Sequence, residues 1–136
     1  MVGLKTRGAA ALTALAIIAL LIVVIIAVSV VISVKNKRAR DSERHKHLQT
    51  IAQAQEFYFD KFKKYAEADR LASSDYLTKL PTDPATGKVY EIYLNYLSDE
   101  WCAWAKSEAN NIFFTQDEHS TGTTNQQPTN LASCKD

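Results

Sequence analysis

One stretch limits what this chain of 136 residues can become. Residues 9–34 carry no charge, and their polar side chains are confined to Thr13, Ser29 and Ser33. As a helix, about 26 residues at ~1.5 Å each reach roughly 39 Å, more than the ~30 Å of bilayer hydrocarbon. The many Ile and Val residues do not prevent a helix there, because in lipid the backbone must bond to itself. A helix buried in a soluble core would be shorter. A cleaved signal peptide would also be shorter and would end in a small-x-small site. Here Lys35-Asn36-Lys37-Arg38 follows instead, so the run reads as a retained anchor. It also takes a large share of the chain's 46% hydrophobic content. What remains can bury a modest core, such as one helix laid on a small sheet. A multidomain enzyme is excluded and a freely soluble protein disfavoured.

Two signals disagree on topology. Lys5 and Arg7 precede the run, whereas Lys35, Lys37, Arg38, Arg40, Arg44 and Lys46 follow it, which by the positive-inside rule places the body in the cytoplasm. The two cysteines, Cys102 and Cys134, lie late in a small domain and suit an extracytoplasmic disulfide. These residues leave the side of the membrane open, and a cytoplasmic body would keep both thiols free.

Residues 35–70 contain no Gly or Pro, so the helix is expected to continue from residue 9 to near Arg70. Leu48, Ile51, Ala52, Tyr58, Phe59, Phe62, Tyr65 and Ala66 recur at three- and four-residue steps as one stripe. Glu43, Lys46, Gln53, Glu56, Lys61 and Lys64 lie opposite. Leu48, Ile51, Tyr58, Phe59, Phe62 and Tyr65 are therefore the expected helix-to-sheet contacts. Ser73-Ser74-Asp75 can end the helix, and Leu80-Pro81-Thr82-Asp83-Pro84-Ala85-Thr86-Gly87 is turn chemistry. Alternation over residues 89–96 predicts a strand, with further strands at 101–106 and 111–115. Residues 116–132, rich in Thr, Asn and Gln, read as an exposed loop. The expected class is α+β: a tail or leader at 1–8, an apolar helix at 9–34, its amphipathic continuation at 35–72 and a small antiparallel sheet at 73–136.

Signals of chemistry are missing. His45 and His47 stand two apart, about 200° around a helix, and make poor co-ligands; a solvated basic face is the plainer reading. Asp99-Glu100 and Asp117-Glu118 lack calcium-loop spacing and read as solvated acids. The cluster Phe57, Tyr58, Phe59, Phe62 and Tyr65 reads as core rather than an electron relay. No catalytic residue, metal ligand or cofactor motif is identified. The basic stretch 35–46 suits solvent or anionic lipid headgroups, with nothing beside it to read nucleic acid. Cys102 and Cys134 stand 32 positions apart, and a bond between them would staple the polar loop.

Taken in order, these segments resemble a type IV pilin or pseudopilin. Arg38-Ala39-Arg40-Asp41-Ser42-Glu43-Arg44, then Leu48-Gln49-Thr50-Ile51, is similar to that family's helix just past the membrane. Leu80-Pro81-Thr82-Asp83-Pro84, with Gly87 and Tyr90, resembles its helix-to-sheet loop. Trp101-Cys102-Ala103-Trp104-Ala105-Lys106-Ser107-Glu108 resembles its cysteine-bearing strand. The resemblance covers most of the chain and implies a leader cut by a prepilin peptidase between Gly8 and Ala9. It departs where the family's mature chain begins with Phe or Met and carries Glu at the fifth position; here stand Ala9 and Thr13.

What the resemblance implies is a structural role. The protein would sit in the cytoplasmic membrane with its C-terminal domain outside. Assembly machinery would then draw it from lipid into an extracellular filament, homo-oligomeric through the N-terminal helix. The alternative is an uncleaved single-pass anchor that displays a pilin-like domain to a partner.

Overall fold

The computed structural model describes residues 5–73 and 77–135, with side chains from residue 12 onward. Ser74 and Asp75 of the expected helix stop, and residues 1–4 of the leader, lie outside the described residues. The chain divides into two compact units, Met1–Asn36 and Lys37–Asp136. Helix α1 (Lys5–Phe62) contributes to both. In the first unit every described side chain is exposed, so Ile, Val and Leu stand out on all sides of α1. This helix is long and apolar enough to cross a membrane.

The second unit is α+β. After α1 come α2 (Ala68–Ala72), β1 (Ile92–Leu94), β2 (Trp101–Lys106), β3 (Phe113–Asp117), β4 (Thr121–Thr124) and α3 (Leu131–Lys135). The strands form one antiparallel sheet in sequence order, as successive hairpins dictate. Along β2, side chains alternate between two covered faces. Trp101, Ala103 and Ala105 join Phe114 and the α1 residues Leu48, Ile51, Ala54 and Tyr58 in the core. Fully burying Leu48 or Ile51 contributes roughly 1.5–3 kcal/mol each. Cys102 points to the opposite face, where α3 lies against β2 and β3.

Four expectations need correction. The helix does not run to Arg70: it stops at Phe62, and Lys63 adopts φ 56°. A left-handed lysine costs about 1–2 kcal/mol, and bonds made by the reversal offset it. Lys63 N–H donates to Phe59 O at 2.7 Å and Tyr65 N–H to Ser98 O at 2.6 Å. The fully buried Gln55 amide donates to Ala66 O and accepts from Ala66 N–H, both at 2.8 Å. Ser73 then closes α2 as its C-cap.

Second, Phe62 is not a core contact. The reversal carries Tyr65 onto Trp101, with ring centroids 6.2 Å apart, and leaves Phe62 47% exposed. Its ring meets that of the buried Tyr58 at 4.4 Å. Phe62→Ala is therefore expected to cost about 1 kcal/mol or less in urea denaturation. A loss of 3–5 kcal/mol would mean that the side chain is buried after all.

Third, β1 is shorter than residues 89–96, and β3 sits two positions later than 111–115. Val89 pairs with Thr82 in an isolated bridge, and the Asp83–Gly87 turn between them draws this segment away from β2. Fourth, residues 116–132 are not a loop throughout. They hold the end of β3, all of β4 and the start of α3, because a polar Thr-Gly-Thr-Thr edge strand needs ladder bonds more than an apolar face.

Candidate functional site

The face that α1 buries begins with two charges rather than an apolar residue. Asp41 and Arg44 precede Leu48, Ile51, Gln55 and Tyr58 at steps of three and four, and all six are buried. The Arg44 side chain, only 3% exposed, gathers carboxylates from three separate elements. Its Nη1 donates to Asp41 Oδ1 at 2.7 Å, one helical turn back. Its Nε and Nη2 fork onto Asp83 at 2.6 and 3.2 Å, and Nη2 also reaches Glu108 Oε1 at 2.6 Å. Arg40 holds the same Glu108 through both carboxylate oxygens at 2.9 and 2.6 Å. Such forked pairs need the planar guanidinium that lysine lacks.

The carboxylates in turn fold the loops that bring them there. Asp83 Oδ1 accepts the amides of Ala85 and Thr86, and Gly87 at φ 69° closes that turn in a conformation suited to glycine. Asp41 accepts the Ser107 hydroxyl at 2.7 Å and the amides of Glu108 and Ala109, which shapes the β2–β3 turn. One cluster therefore ties α1, the 83–87 turn and the β2–β3 hairpin together.

Burial alone pushes the Asp83 carboxyl up. The Arg44 fork and the Thr86 and Ala85 amides overcome that and hold it at about 2. Bonds from Arg40, opposed by burial and reinforced by Arg44, bring Glu108 to about 2 as well. Burial likewise raises Asp41, and Ser107, two amides and Arg44 bring it below its ordinary value. Groups held ionised in this way exchange no proton near neutrality; the arrangement is a clamp. Because the folded values lie below the ordinary 3.8 and 4.5, the stabilisation is complete above those values and lost as pH falls towards about 2. The urea midpoint is expected to be flat above about pH 5 and to drop between there and pH 2. A midpoint already falling at pH 6 would assign the acid sensitivity to other groups.

The residues expected from sequence fare unevenly. Leu48, Ile51, Tyr58 and Tyr65 are buried against the sheet, Phe59 is half-buried and stacks on Tyr65 at 4.7 Å, and Phe62 is outside. Gly8 and Ala9 fall within α1, and their surroundings lie outside the described side chains. Cys102 and Cys134 are joined, Cα atoms 6.0 Å apart, so α3 is fastened to the sheet's second face. Lys135 of α3 pairs with Glu118, whose carboxylate also accepts the Trp101 amide. Asp117 caps the β3–β4 turn through the amides of His119 and Ser120. Glu118 and Asp117 thus have structural partners rather than solvent alone.

Two further readings change. The histidines are not simply solvated: His45 packs on Phe114 at 3.9 Å, while His47 Nδ1 meets the Tyr90 hydroxyl at 3.1 Å. Arg40 and Arg44 leave the basic stretch for the clamp, and Lys35, Lys37 and Arg38 stay exposed. Sequence reasoning missed Asp41, Arg44, Asp83, Glu108 and Gln55. A signal was present, since Asp41 and Arg44 extend the apolar stripe in phase, and a charge on a buried stripe requires a partner. Compared with protein-family models, curated proteins and solved structures, the chain matches none.

Proposed function

We propose that this chain is a structural subunit of a type IV pilus-like extracellular filament. Its apolar helix is stored in the membrane and then packs among the helices of other copies, with the sheet domain as the filament surface. The observation that carries this reading is α1 itself. It presents apolar side chains on every side from Leu12 to Val34 and then, without a break in the helix, buries one face under a sheet domain. A helix apolar all round requires lipid or other apolar helices as its surroundings. No charge interrupts residues 9–34, so lengthwise packing gains dispersion contacts without burying an ion. The Cys102–Cys134 bond supports an oxidising location for the domain, outside the cytoplasmic membrane. Prepilin peptidase and pilus assembly machinery are the partners this reading requires.

The second reading, an uncleaved anchor displaying the domain to a partner, draws on two observations. Thr13 stands where the family's Glu would be, and α1 is helical through Gly8 and Ala9, where a peptidase would need extended chain. The N-terminus of material sheared from cells separates the two. Filaments of subunits beginning at Ala9 are expected. If all of the protein stays in the membrane fraction with residues 1–8 attached, the filament reading fails and the anchor reading stands.

A further inference from the structure

Pairing of β1 with β2 ends at Ile92↔Ala103, yet β2 continues to Lys106. The chain before β1 diverges there, leaving a cleft of about 620 Å³ between Val89, Tyr90 and Glu91 on one side and Trp104, Ala105 and Lys106 on the other. That volume falls within the roughly 300–1,000 Å³ of small-molecule sites. We infer that this cleft is a binding site for a neutral saccharide.

Charge decides first against an ionic ligand. Arg44, Lys88 and Lys106 are balanced in the lining by Asp83, Glu91 and Glu108, so no net field selects either sign. Arg44, Asp83 and Glu108 are moreover committed to one another. Ser107 and Tyr90 are buried and bonded to Asp41 and His47. The exposed polar side chains are of every hydrogen-bonding kind: Lys88 and Lys106 donate, Glu91 accepts (one of its oxygens already from the Tyr93 hydroxyl), and the amides of Asn111 and Gln127 do both. Sugar hydroxyls, each a donor and an acceptor, match such a mixture. A purely apolar ligand would strip water from these groups and return nothing.

The wall supplies the other half of saccharide recognition. Trp104 is partly exposed, but its Nε1 is buried, so the indole surface left to the cleft is carbon. Phe113 meets that indole at 5.4 Å and 68° and fixes its plane. A fixed aromatic surface beside mixed polar groups accommodates the C–H face of a pyranose while its hydroxyls reach the rim. This inference does not depend on filament assembly.

The test uses the full chain in lipid nanodiscs, since alkyl-glycoside detergents would compete. Maltotriose, lactose and triacetylchitotriose are titrated by calorimetry and tryptophan emission, with a heparin hexasaccharide as the anionic comparator. Saturable millimolar binding of at least one neutral sugar is expected, weakened at least about tenfold by Trp104→Ala and by Gln127→Ala. Gln127 is exposed, so its variant decides the matter if Trp104→Ala does not fold. The inference is overturned if no neutral sugar binds or if Gln127→Ala leaves binding unchanged. It is equally overturned if the heparin fragment alone binds and added salt abolishes that binding.

Discussion

Arg44→Ala is expected to destabilise the sheet-bearing unit by about 3–5 kcal/mol, the largest single effect foreseen for this protein. The loss comes from what the guanidinium leaves behind. Asp41 and Asp83 stay largely buried without their cation, and Glu108 keeps only the peripheral Arg40. Arg44→Lys should recover part of the loss, because one ammonium can neutralise charge but cannot fork onto Asp83 while reaching Asp41 and Glu108. Arg44→Ala should also flatten the acid dependence, since the carboxylates would lose a partner that holds them ionised. Urea unfolding followed by tryptophan fluorescence at pH 7 and pH 3 reads both effects. A cost below about 1 kcal/mol would reduce the cluster to ordinary surface ion pairs.

Replacing both cysteines, Cys102→Ala with Cys134→Ala, is expected to cost about 3.5–4 kcal/mol on the chain-entropy account of a loop this long. The bond spans 32 positions, and it holds down residues 118–135, which follow β3 and carry little apolar surface of their own. In residues 118–135 the buried positions are Cys134 and Pro128, and the Pro128 carbonyl accepts the Tyr93 hydroxyl at 3.2 Å. Loss should therefore be local first, with amide protection falling in α3 before it falls in β2 or α1. Coincident urea midpoints for oxidised and reduced protein would show that the Glu118–Lys135 pair and Pro128 suffice to hold α3.

The sequence by itself determined whatever depends on near neighbours along the chain. An uncharged run at residues 9–34 makes a helix long and apolar enough to cross a membrane, and stripe residues at helical spacing expose one face for burial whatever covers it. The Trp101–Lys106 strand was legible residue for residue because its alternation is short, apolar and bounded by polar turns. The Pro, Asp and Gly of residues 80–87 marked a turn for equally local reasons. Tertiary structure alone decided where α1 stops, because Lys63 is a poor left-handed residue until Gln55 and Ser98 hold the chain beyond it. It moved Phe62 out of the core by the same reversal. It also turned two arginines of a basic run into a buried clamp, since their partners lie 39 to 68 positions away and no local pattern encodes that distance. The polar strand β4 was hidden for the related reason that a ladder of backbone bonds with β3 stabilises it, and its own side chains carry no periodic signal.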